Sequence, residues 1–134
     1  MSEPDFPPEL ADIVAGLELA FLVSIGDLGP HTTPQHPVLR DGRFQIATPG
    51  PATCRNIAAR PAVTLLWPPT QPDGHVLIID GHAALRGNAL EVIPTHAVFH
   101  HVGAPEAMTR RCADCRRFTL APPYVLTGAD NQNP

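Results

Sequence analysis

Several groups of side chains in this sequence have types and spacings that could do chemistry. Seven histidines occur in 134 residues, and His96, His100 and His101 stand close together. On a strand His96 and His100 share a face, and on a helix they are i, i+4 neighbours. Cys112 and Cys115 have the C-x-x-C spacing of half a zinc site. His96, His100, Cys112 and Cys115 are therefore a candidate metal set. The plainer reading is half-exposed histidines and small buried cysteines. A redox C-x-x-C is expected beside a βαβ pattern, which this sequence lacks. Arg110, Arg111, Arg116 and Arg117 form a basic cluster. It suits an anionic substrate or a deazaflavin tail, or else a solvated helix face. No Ser-His-acid order and no paired-carboxylate motif stands out.

The elements that must position these groups are short. The chain has 17 prolines, and proline is excluded from helix interiors and from the middle of sheets. A helical bundle is thereby disfavoured. Apolar residues make up 43% of the chain and charged residues 16%, so it can bury a core. The length fits one domain over 1–134, with a loose arm over 1–8 and a polar tail over 127–134. A net charge of −4 gives no electrostatic footprint for nucleic acid. No run reaches the roughly 18 apolar residues of a membrane span. The acidic, proline-containing start and the odd number of cysteines, three, point to the cytoplasm.

Leu10, Ile13, Val14 and Leu17 fall on one helix face. From Phe21 the pattern changes to strands: Phe21 to Ile25, Thr32 to Leu39, Arg43 to Thr48, Ala62 to Trp67, His75 to Leu85, and Leu90 onward past Pro94. Pro34 and Pro37 prevent the second from pairing along its whole length. Asp41-Gly42 signals a hairpin. Pro49 to Pro51 makes a corner into a short helix over Ala52 to Arg60. A last helix starting at Pro105 carries Met108, Cys112 and Cys115, and Tyr124 to Leu126 is a final short strand. The expected fold class is mainly β (α+β): a six-stranded split β-barrel with short flanking helices.

The order from Phe21 to Gly81 carries a resemblance. It runs strand, glycine-rich turn, His31-Thr32-Thr33-Pro34 strand, Asp-Gly hairpin, strand ending in Ala47-Thr48-Pro49, helix with Arg55-Asn56, then two strands. This resembles the pyridoxamine 5′-phosphate oxidase-like, FMN-binding split barrels. Pro94 to His100 and the Cys112 to Cys115 segment resemble one bacterial branch of that superfamily. The resemblance implies a homodimer with flavin sites at the interface. It implies that the strand holding Thr32, Thr33, Pro34 and Gln35 runs along the flavin. Thr48, Thr53, Arg55 and Asn56 match the phosphate-binding corner, and a helix N-terminus suits phosphate. His36 is the candidate side chain near the ring for acid–base work. The sequence departs from the pattern at Thr53, where relatives carry lysine. The expectation is an FMN-binding, flavin-dependent oxidoreductase acting on a small molecule. The alternative is a non-enzymatic carrier or sensor barrel for flavin, deazaflavin or haem, with its flavin site degenerate.

Overall fold

A computed structural model describes residues 6–102 and 115–120. Helix α1 (Pro8–Ala15) opens the described chain. Eight strands follow: β1 (Ala20–Gly26), β2 (Gly29–Gln35), β3 (Val38–Arg40), β4 (Arg43–Ile46), β5 (Ala62–Trp67), β6 (His75–Arg86), β7 (Ala89–His101) and β8 (Arg116–Thr119). Helix α2 (Pro51–Ala59) sits between β4 and β5. All eight strands lie in one antiparallel sheet, in the order β2-β1-β5-β6-β7-β4-β3, with β8 added to β7. The sheet coils without closing, since β2 and β3 are its two ends. This is the split barrel expected from the sequence, with eight strands in place of six, because one expected strand is split into β2 and β3 and β8 is added.

Local chemistry explains the breaks. The stretch Thr32 to Leu39 splits into β2 and β3 at His36-Pro37, because proline has no donor for a ladder. Pro34 is tolerated in β2 because that strand is an edge. Asp41 and Gly42 both take positive φ, 55° and 75°, as a two-residue type I′ hairpin turn requires. β6 and β7 pair along almost their whole length, but Asp80 faces His96 while Gly81 faces Pro94. Thr95 is thus an extra residue, a β-bulge at which β7 bends. The bend brings backbone close: a Cβ on Gly81 would lie 2.4 Å from the carbonyl oxygen of Ile93. Only glycine fits there.

The core lies inside the coil. Leu22, Val63, Leu65, Trp67, Leu77, Ile79, Leu90 and Val92 point inward from alternating strand positions. The Phe44 and Trp67 rings pack 5.3 Å apart at a tilt. Leu10 and Val14 of α1 join this core, and Phe6 meets Phe44 edge-on at 6.1 Å. The end of the expected loose arm is therefore packed. No helix among the described residues is long and apolar enough to cross a membrane.

The last described element differs from the expected one. Arg116 and Arg117, expected near the last helix, lie in a strand, Arg116–Thr119, paired with His96 to Phe99. The free edge of β7 supplies the ladder that those four residues could not signal alone. The helix expected from Pro105, with Met108, Cys112, Arg110 and Arg111, lies outside the described residues up to 114. The Tyr124 to Leu126 strand and the 127–134 tail lie outside them as well.

Candidate functional site

The corner after β4 is built from backbone that no side chain closes. Thr48 is exposed, Pro49 is buried, and Gly50 takes φ +89° as the residue before α2. Among the described residues, and apart from its chain neighbours, no atom lies within 4 Å of where a Gly50 Cβ would stand. The need for glycine is thus conformational, and the space above the corner is open. No side chain caps α2, and Pro51 at its start has no N–H to satisfy. The first-turn amides of Ala52 and Thr53 have no intrahelical acceptor, and the helix dipole puts partial positive charge there.

The helix then divides the predicted residues. Thr53 is 1% exposed and shares the buried face of α2 with Ile57. Its side chain is not displayed to a ligand in the way sequence reading anticipated. Arg55 is exposed and has solvent on its side of the helix. Asn56 turns inward, and its Nδ2 donates to the Oγ of fully buried Ser24 at 3.0 Å. Arg60 donates to Asp27 at 2.9 Å across the β1–β2 turn.

Ser24 links this corner to β2, because Ser24 and His31 are register partners. On β2 the side chains alternate. Thr32 and Pro34 are exposed on one face, and His36 is exposed just beyond the strand. His31, Thr33 and Gln35 are half-buried on the other face, where Gln35 Nε2 donates to Thr33 Oγ1 at 3.3 Å. The Nδ1 of His31 is buried without a hydrogen-bond partner among the described residues. A polar seam therefore runs from Asn56 through Ser24 to His31, Thr33 and Gln35. Sequence reading missed His31 and Ser24. His31 alternates with Thr33 and Gln35, so that signal was present. Ser24 sits inside an apolar run and gave none.

The outer face of the sheet is apolar in its middle. Strand register aligns Pro34, Phe21, Leu66, Ile78 and Val98 in one row across five strands. The next row aligns Thr32, Val23, Thr64, Asp80 and His96. Thr64 Oγ1 donates to Asp80 at 2.6 Å. A concavity of about 310 Å³ lies here, lined among others by Val23, Ile25, Thr64, Asp80 and His82.

The histidines separate. His96 and His100 share a face of β7, but four residues at about 3.3 Å each put their backbones roughly 13 Å apart. His75, Phe99 and His101 stack on the opposite face, with ring centroids 4.3 and 4.9 Å apart. His100 Nδ1 lies 3.1 Å from Cys115 Sγ. Among the described residues no group of three or more His, Cys, Asp or Glu side chains could hold a metal. Cys112 lies outside those residues. Of the basic cluster, Arg116 is ion-paired to Glu9 and lies over the Phe118 ring, and Arg117 is exposed.

No family model matches the chain. Uncharacterized proteins of Mycobacterium bovis and Mycobacterium tuberculosis are each 33% identical to it over 131 residues, covering 83% of this chain and 92% of theirs. Among solved structures, a Clostridium acetobutylicum protein related to general stress protein 26, of the pyridoxinephosphate oxidase family, superposes with a TM-score of 0.62. Its identity is 11%, with 83% of this chain and 92% of that one covered. A FAD-binding protein of Mesorhizobium loti gives 0.61 at 12% identity, covering 75% and 97%. A heme-binding protein of Mycobacterium smegmatis gives 0.58 at 13% identity, covering 80% and 55%. The chain therefore belongs to one family with these mycobacterial proteins, and its architecture is that of the pyridoxamine 5′-phosphate oxidase-like split barrels.

Proposed function

We propose that this protein binds FMN at the α2 corner and along β2, and serves as a flavin-dependent oxidoreductase for a small molecule. The observation that carries this reading is the uncapped first turn of α2, open to solvent above Gly50 with no capping side chain. Backbone amides in that position bind phosphate. Thr48 stands beside the turn and Arg55 adds the nearest exposed positive charge on the helix. β2 ends the sheet, so one backbone edge is available to bond the rim of a flat ring. Thr32, Pro34 and His36 flank that edge on the exposed side, with Thr33 and Gln35 on the other. Asn56 acts indirectly, by holding Ser24 and with it the join between α2 and β1, the strand on which β2 pairs. A bound flavin supplies hydride chemistry. The chain supplies binding, ring orientation and exclusion of water. His36 is the side chain placed for proton transfer near the ring.

The same reading includes a homodimer. The row Pro34, Phe21, Leu66, Ile78 and Val98 is an apolar band on the outer face, and Ile25, two rows along the same face of β1, is 39% exposed. Contiguous apolar surface rimmed by polar groups suits a protein partner. A second copy seated there would bring its own residues to the β2 edge.

One observation favours a second reading, a carrier or sensor barrel without catalysis. Thr53, where a cation is expected, is buried, so the phosphate clamp rests on amides, Thr48 and Arg55 alone. The loss of a charged hydrogen bond costs about 1.5–3 kcal/mol, or one to two decades of affinity. The experiment is the absorption spectrum of the purified protein, followed by uptake of added FMN, deazaflavin and haem. Uptake of FMN, with bleaching of the bound flavin by a reductant and its return on reoxidation by an acceptor, supports the oxidoreductase. Preference for haem supports the carrier. Failure to take up any of the three overturns both. Light scattering that gives a monomer at micromolar concentration overturns the two-chain site.

A further inference from the structure

The Cys115 region stands apart from the α2 corner, on the β7–β8 side of the sheet. Cys115 is disulfide-bonded. Its Sγ accepts a hydrogen bond from the backbone N–H of His101 at 3.4 Å and lies 3.1 Å from His100 Nδ1. It directly precedes β8, and it is half-buried. His101 stacks on His75 across the sheet and bonds the Asp73 carbonyl. Arg116, next in the chain, is ion-paired to Glu9. Of the other two cysteines, Cys54 is free, and Cys112 stands three residues earlier in the sequence.

A sulfur held this way is prepared for negative charge. An N–H donor and an imidazole both favour a thiolate over a thiol, and stabilising the thiolate raises the reduction potential of the disulfide it leaves. We propose that Cys115 is a redox-active sulfur, exchanging electrons with an external dithiol, and that His100 sets its poise. In the reducing direction a thiolate of the external dithiol bonds to the sulfur that partners Cys115. The protein S–S bond breaks, and its electron pair stays on Cys115, beside His100 and the His101 N–H. The second thiol of the reductant then displaces the partner sulfur. The products are a reduced protein and the disulfide of the reductant. Two electrons pass to the protein, and two protons accompany them when both sulfurs leave as thiols.

The test equilibrates the full chain with mixtures of oxidised and reduced dithiothreitol and counts alkylated cysteines by mass spectrometry. The expected result is one reversible two-electron transition at Cys115 while Cys54 stays alkylatable throughout. Cys112→Ser is expected to abolish the transition, and Cys54→Ser to leave it unchanged. His100→Ala shifts the equilibrium about tenfold toward the disulfide, roughly 30 mV more negative. A transition seen only after unfolding, a transition that survives Cys112→Ser, or no shift in His100→Ala overturns the proposal. A measurement on the unsubstituted protein guards against a misfolded variant. In the reduced protein near pH 6, iodoacetamide should modify Cys115 several-fold faster than Cys54, which is also half-buried. Equal rates overturn the role given to His100.

Discussion

β7 and β2 do opposite jobs: β2 alternates its side chains throughout, whereas β7 changes face at its bulge. β7 is paired along most of its length with β6, and with β4 and β8 on its other edge. Leu90, Val92, Ala97 and Phe99 face the core, and backbone approaches backbone so closely at the bulge that only Gly81 fits. Among the described residues β2 is paired with β1 alone. Its inner residues are His31, Thr33 and Gln35, and the buried His31 Nδ1 has no partner among the described residues. Stability concentrates where every group is matched. Binding capacity concentrates where groups are left unmatched, and elements of low local stability are the ones that bind and move.

Substitutions can break that comparison. The largest effect is expected at the bulge. Gly81→Ala forces a methyl to within 2.4 Å of the Ile93 oxygen, at a cost of about 3 kcal/mol or more by urea unfolding. An unchanged midpoint would place the β6–β7 register elsewhere. Next comes Asn56→Ala, which strands the buried Ser24 hydroxyl. It should lower stability by about 1–3 kcal/mol and weaken FMN binding together, because it loosens the join that positions β2. Arg55→Ala should separate the two quantities. It should cost roughly tenfold in FMN affinity while moving the urea midpoint by less than about 0.5 kcal/mol. The smallest effect is expected at Asp27→Ala. The Arg60–Asp27 pair spans 2.9 Å, but the Asp27 side chain is 90% exposed, so its loss should change stability by less than about 1 kcal/mol.

Much of the barrel was legible in the sequence because its signals are local. Alternation gave the strands, Asp41-Gly42 gave the turn, and Pro37 gave the break between β2 and β3. The bulge was half-legible: Pro94 inside a strand pattern marked a disturbance, but only the register joins it to Gly81. β8 was not legible, since Arg116 to Thr119 pair because β7 has a free edge. The candidate site was read in part. Thr32 to Gln35, Thr48, Arg55 and Asn56 fall where a strand–corner–helix order put them. The orientation of Thr53 depends on which face of α2 packs, and helix spacing from Ile57 carries that only once the packing is known. Ser24 needed a contact 32 residues away in sequence to acquire its role.

The central claim is that the open α2 corner binds a flavin phosphate. Its most direct test is titration of FMN fluorescence with the cofactor-free protein and with Arg55→Ala in parallel. The account predicts saturable quenching at one FMN per chain, with the variant weaker by about a decade. Absence of quenching in the unsubstituted protein, or identical curves for both, would contradict it.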